Sequence, residues 1–239
     1  MNVDRPRRAR LEIVLLEFEG ILVDTRTARQ DAMLSVLRED GIVLSDSEYR
    51  DECLGRSTGE GVRSAASLRN KSLDEIALDL LEVRVEREFS RYMEKGAVLM
   101  EGARESLERM AARLRLGIVS RARRRNISEV LSLAGMEELF VCVIGADDVS
   151  QGKPAPTGYQ LALRRMRALG TPAAPSQVVA LEDGAPGIRA ARAAGVRCVA
   201  VGDLPAHLAM EADALVASLQ GMDVDRLERL LARHGGPDA

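Results

Sequence analysis

The chain has 239 residues, 46% of them hydrophobic, and sets 34 basic side chains against 37 acidic ones. That is length enough for a sizeable core, and the near-balanced charge argues against nucleic acid or an anionic membrane as a partner. Two histidines and three cysteines (Cys53, Cys142, Cys198) without a C-x-x-C pair argue against a His-rich metal centre, a Ser-His-Asp triad and a disulfide framework.

The basic start at residues 5–10 reads as a frayed terminus, and Glu12, Glu17 and Glu19 interrupt the apolar run behind it, so no secretory signal is expected. No run reaches the roughly 18 apolar residues of a membrane helix, and a cytoplasmic protein with no membrane association is expected. The first strand falls at residues 11–16. From 26 to 95 no strand is predicted, only helical spacing punctuated by three Ser-x-x-Glu capping boxes, Ser45–Glu48, Ser57–Glu60 and Ser72–Glu75. Behind the third, Leu73, Ile76, Leu80, Leu81, Val83 and Phe89 predict one long amphipathic helix. Strands then recur at 116–119, 140–144, 178–181, 197–201 and, more weakly, 214–216. Helical patterns at 103–114, 126–134, 158–169 and 184–194 lie between them. Alternation of this kind predicts an α/β fold with a mostly parallel sheet covered on both faces. Ligands of such sheets bind at the carboxyl ends of the strands.

Four stretches stand at strand ends or in the loops beside them. The first is Leu15-Leu16-Glu17-Phe18-Glu19-Gly20-Ile21-Leu22-Val23-Asp24-Thr25. The second is Gly117-Ile118-Val119-Ser120. The third is Gly152-Lys153-Pro154-Ala155-Pro156, which holds one of only three lysines in the chain. The fourth begins at Leu181-Glu182-Asp183-Gly184 and runs through Gly187 and Ala190-Ala191 to Ala194-Gly195. In this order they resemble the four signatures of the haloacid dehalogenase superfamily, and specifically its subgroup with a helical cap inserted after the first signature, which includes β-phosphoglucomutase-like proteins and small-molecule phosphatases. The resemblance covers essentially the whole chain. It implies a Rossmann-like core at 1–25 and 97–239 and a helical cap at 26–96.

The resemblance also implies roles. Glu17 stands where the family has its nucleophile and Glu19 where it has its general acid/base, although both family residues are aspartates. Ser120 and Lys153 would bind the phosphoryl group. Glu182 and Asp183, with Glu17 and Glu19, would hold Mg²⁺, which takes oxygen ligands in tight octahedral geometry. Arg56 resembles a cap-loop arginine that grips the distal group of the substrate. Plainer readings exist beside these: edge-strand glutamates, a loop lysine, a helix-capping acidic pair, a turn serine, a surface arginine. Period-2 alternation along a strand would aim Glu17 and Glu19 at one face. Each glutamate places its carboxylate about 1.5 Å further out than aspartate, one C–C bond, and misplacing a reacting group by about 1 Å can cost on the order of 100-fold in rate. Arg29 stands where sugar-phosphate mutases of the family carry a hinge histidine, which favours a phosphatase. The expectation is a Mg²⁺-dependent phosphatase of reduced activity acting on a small phosphorylated metabolite, as a monomer or homodimer. The alternative is an inactive descendant that serves as a binding or assembly protein.

Overall fold

The computed structural model describes residues 10–54, 56–94 and 98–233. The basic run at 5–9, the expected 96/97 boundary and His234 lie outside the described residues. The chain divides into two compact units, Met1–Asp24 with Val98–Ala239, and Thr25–Ala97.

The first unit is built on six parallel strands: β1 (Ile13–Leu16), β4 (Arg115–Val119), β5 (Phe140–Ile144), β6 (Val178–Glu182), β7 (Arg197–Val201) and β8 (Ala214–Val216). Their spatial order is β5-β4-β1-β6-β7-β8, the doubly wound parallel arrangement expected from the alternating pattern. The central strands are short, continuous apolar runs because both of their faces are buried; every residue of β1 and β6 is buried. Helices α5 (Ala103–Ala111), α6 (Arg124–Ala134), α7 (Thr157–Ala168) and α8 (Ala185–Ala193) pack against it. On one face, Ile13 and Leu15 of β1 and Val178 and Ala180 of β6 share a core with Tyr159, Ala162 and Met166 of α7 and Ile188 of α8. A small antiparallel pair that the sequence pattern does not announce, β2 (Val23–Asp24) with β3 (Val98–Leu99), completes the strands. Two helices are likewise additions to the sequence reading, α9 (Ala206–Ala209) and α10 (Val224–Arg233). The second of these buries Val224, Leu227 and Leu231.

The second unit is helical: α1 (Arg26–Glu39), α2 (Asp46–Glu52), α3 (Thr58–Leu68) and α4 (Glu75–Glu94). Two of the three expected capping boxes form, Ser45 with Glu48 and Ser57 with Glu60. The third does not. Helix α4 starts later and is capped by Asp74, whose carboxylate accepts from the Ala77 amide at 2.8 Å. Its buried face also differs from the expected one. Leu78, Leu81, Val85, Phe89 and Met93 are buried, while Ile76, Leu80 and Val83 are exposed. Two apolar stripes interleave on this helix, and packing with α1 and α3 selects the first. Among the described residues no helix is long and apolar enough to cross a membrane.

Candidate active site

The site follows from the register of β1, β4 and β6. Leu16 lies opposite Leu181, and the Glu17 amide continues the ladder by donating to the Leu181 carbonyl at 3.0 Å. Side chains alternate along a strand, so Ile13-Leu15-Glu17 and Val178-Ala180-Glu182 end on the same face with two carboxylates side by side. Both are buried, Glu17 at 4% and Glu182 at 1% exposure. Two adjacent buried anions demand a cation, and Lys153 supplies it. Its ammonium donates to Glu17 Oε2 at 2.7 Å, Glu182 Oε1 at 2.5 Å and the Val119 carbonyl at 2.7 Å. These three acceptors use all of its N–H bonds.

Burial works against the charge of Lys153, but Glu17 and then Glu182 outweigh it and raise its pKa above the ordinary lysine value. For Glu17, burial is opposed by the Lys153 charge and hydrogen bond, by the nearby Ser120 hydroxyl and by the Phe18 amide, and the net direction is down. Glu182 is pushed up to about 7 by desolvation, with Lys153 opposing and Glu17 adding to the rise. The Tyr159 hydroxyl, on the first turn of α7, also donates to Glu182 Oε1, and Gly187 leaves room for the other oxygen, since a Cβ there would collide with Glu182 Oε2.

Asp183 is solvent-exposed. Its carboxyl is nonetheless pushed up to about 6, by desolvation and then by repulsion from Glu17, with Lys153 and Arg121 opposing. It lies against Gly20, whose φ of +76° turns the chain immediately after Glu19. That turn limits the alternation argument. Strand β1 stops at Leu16, and the amides of Leu22 and Val23 both donate to the Phe18 carbonyl, so Glu19 sits half-buried in a turn rather than on the strand. Ser120 is buried, lies near the Glu17 carboxyl and accepts from the Ala122 amide at 3.1 Å. A cavity of about 290 Å³ opens beside it, lined by Ser120, Arg121, Gly145, Ser150 and Lys153 among others.

The structure therefore brings together Glu17, Ser120, Lys153 and Glu182, with Asp183 adjacent. Arg56 is exposed and belongs to the second unit, as does Arg29, which lies 4.1 Å over the Phe89 ring and 3.5 Å from Glu86. Among the described residues, no three His, Cys, Asp or Glu side chains are grouped to hold a metal ion. Tyr159 is the participant that sequence reasoning missed. Its signal is a lone tyrosine on the buried face of a helix, six residues after the motif lysine, where a phenol needs a hydrogen-bond partner.

A parallel α/β sheet with a buried lysine bridging carboxylates at the ends of its strands is the frame of a phosphotransferase-type hydrolase. The chain belongs to the haloacid dehalogenase-like hydrolase family, whose model matches residues 14–201. It is 30% identical to a validoxylamine A 7'-phosphate phosphatase of Streptomyces hygroscopicus subsp. limoneus, over 87% of this chain and 94% of that one. It is 27% identical to a phosphorylated carbohydrates phosphatase of Thermotoga maritima, over 78% and 82% respectively. Among solved structures, CbbY from Rhodobacter sphaeroides in complex with phosphate superposes with a TM-score of 0.69 at 26% identity, covering 88% of this chain and 96% of that one.

Proposed function

We propose that this protein is a cytoplasmic phosphatase that releases inorganic phosphate from a small phosphorylated metabolite, with Glu17 as nucleophile and Glu19 as general acid/base. The observation that carries this reading is the convergence of Glu17, Ser120 and Lys153 from three separate motifs. Relatives named as phosphatases of phosphorylated small molecules support it. A Glu17 oxygen attacks phosphorus as the P–O bond to the leaving group breaks, and Glu19 passes its proton to the departing oxygen. Water then gives a proton back to Glu19 and attacks phosphorus, which frees phosphate and the Glu17 carboxylate. Ser120 and Lys153 orient the phosphoryl oxygens. Arg56 is proposed as a contact for the far end of the substrate.

Glu17 and Asp183 suit a divalent cation. Desolvation and then repulsion from Glu17 lift Asp183 to about 6, an imbalance that a cation between the two would relieve, and Mg²⁺ accepts one or two carboxylates with waters filling the remaining positions. When bound, Mg²⁺ supplies charge neutralisation at the phosphoryl oxygens. Glu182 is engaged by Lys153 and Tyr159, so its part in holding the cation would be shared with them, and Glu19 would join from the turn.

The test is a double variant, Glu17→Asp with Glu19→Asp, assayed for phosphate release from a panel of small phosphomonoesters. Removing one methylene at each carboxylate should raise activity on the order of 100-fold, the scale set by ångström-level positioning. A double variant with no activity counts against the phosphatase reading. A parent that is already fast and a slower variant would show that the glutamates are the adapted pair.

A further inference from the structure

Glu17 does more in this structure than stand near Lys153. Its Oε1 curls back to accept from the amide of the next residue, Phe18, at 2.7 Å, and its Oε2 accepts from Lys153 at 2.7 Å. The Ser120 hydroxyl lies beside the same carboxylate and helps hold its pKa down. A backbone amide and an ammonium thus bind one buried anion, with the Ser120 hydroxyl next to it, and Lys153 and Ser120 are the groups proposed above to hold a phosphoryl group. Two donors from two chain segments, with a hydroxyl from a third beside them, at the carboxyl ends of two parallel strands, form a seat for an oxyanion.

We infer that in the resting protein Glu17 occupies its own oxyanion seat, so that a phosphoryl group enters only when this carboxylate withdraws. The inference rests on the phosphatase reading for its biological meaning, but the seat and its occupant are defined by this chain's own hydrogen bonds. Physical reasons point the same way. The longer side chain of glutamate is what lets the carboxylate fold back onto the Phe18 amide. Lys153 has no N–H to spare while Glu17 and Glu182 both hold it. A phosphate dianion placed beside a charged Glu17, with Glu182 and Asp183 adjacent, would find the Lys153 ammonium and the Phe18 amide already engaged and net like charge at the seat. The cavity beside Ser120 and Lys153, lined also by Arg121, gives an arriving anion space against both of those side chains.

An internal occupant weakens an outside ligand in proportion to the fraction of time the seat is empty. Emptying it should therefore tighten phosphate binding. The experiment titrates inorganic phosphate into the full-length parent and into Glu17→Ala by isothermal calorimetry, without added Mg²⁺. Binding about tenfold tighter or more in the variant is expected, as for a seat that is free no more than one-tenth of the time, and adding Ser120→Ala should reverse the gain. A folded Glu17→Ala protein that binds phosphate no tighter than the parent overturns the inference. Should Glu17→Ala fail to fold, Glu17→Asp, which keeps the charge but is one bond shorter, carries the same expectation and the same refutation. The phosphatase reading fails separately, if the double aspartate variant releases no phosphate while these titrations come out as expected.

Discussion

Lys153→Met tests the electrostatic account of the site most directly. Methionine matches the length and apolar stem of lysine, so the substitution removes the ammonium and little else. The side chain is 5% exposed, and its ammonium is the shared cation of Glu17 and Glu182. Removing one partner from a buried ion pair costs roughly 3–5 kcal/mol, because the other charge is left uncompensated. Here two carboxylates are left. Glu182, at about 7 even with Lys153 present, can take a proton near neutrality, which keeps the loss near that range rather than doubling it. A change of this size moves the melting midpoint by about 2–4 °C per kcal/mol in a chain of this class, so a drop of roughly 6–20 °C is expected at pH 8.

The pH dependence carries its own sign. Glu17 is lowered in the folded parent, so its stabilising contribution is present above the ordinary value of 4.5 and is lost as pH falls. The raised Lys153 contributes fully below 10.5 and loses its effect only above that. In the variant both carboxylates lose their cation and their pKa values rise, so both are neutral at mildly acidic pH. The gap between parent and variant should therefore open as pH rises from about 5 to 8, read by differential scanning calorimetry at each pH. A variant within about 1 kcal/mol of the parent at pH 8 would refute the claim that Lys153 compensates two buried charges.

Millimolar Mg²⁺ should raise the melting temperature of the parent by mass action, by about 2.7 kcal/mol of stability at a hundredfold excess over Kd, and Asp183→Ala should abolish the rise. A parent melt indifferent to Mg²⁺ would remove the cation from the proposal. Glu182 is raised from 4.5 to about 7, so on its account stability falls as pH climbs through that window. Glu182→Gln should flatten this part of the stability curve, and an unchanged slope between pH 5 and 7 would show that Glu182 does not titrate there.

The sheet was legible because a strand buried on both faces must be a short continuous apolar run, and β4, β1, β6 and β7 meet that condition with charged or glycine-rich breaks between them, while the edge strands β5 and β8 leave residues such as Leu215 partly exposed. Capping boxes were legible at Ser45 and Ser57, where box and helix start coincide. At Ser72 the same pattern misled, because Asp74 competes for the cap and wins two residues later. On α4 the periodicity held two interleaved apolar stripes, and only the neighbouring helices decide which is buried. Strand alternation correctly aimed Glu17 but overran the turn at Gly20, since nothing in a period of two marks where a ladder ends. The contact of Tyr159 with Glu182 joins positions 23 residues apart through the packing of α7 on the sheet, and no local pattern encodes that.

The triad of Glu17, Lys153 and Glu182 does not by itself separate an enzyme from a structural relic. Once two carboxylates are buried side by side, losing the lysine between them is costly whether or not chemistry occurs, so stability alone would keep all three. Asp183 is different. It is exposed, and no buried ion pair depends on it; desolvation and then repulsion from Glu17 push its carboxyl up to about 6. A carboxylate raised in this way is disfavoured in its charged form, and a purely structural site would be more stable with a neutral side chain in its place. A carboxyl raised in this way beside a buried anion cluster suits the divalent cation proposed for the site, which would bring positive charge to it. The strain at Asp183 and the self-occupied seat at Glu17 therefore call for complementary ligands. One is a cation that would relieve the carboxylates, and the other is an oxyanion that would displace one of them, the two components a phosphoryl-transfer site must gather.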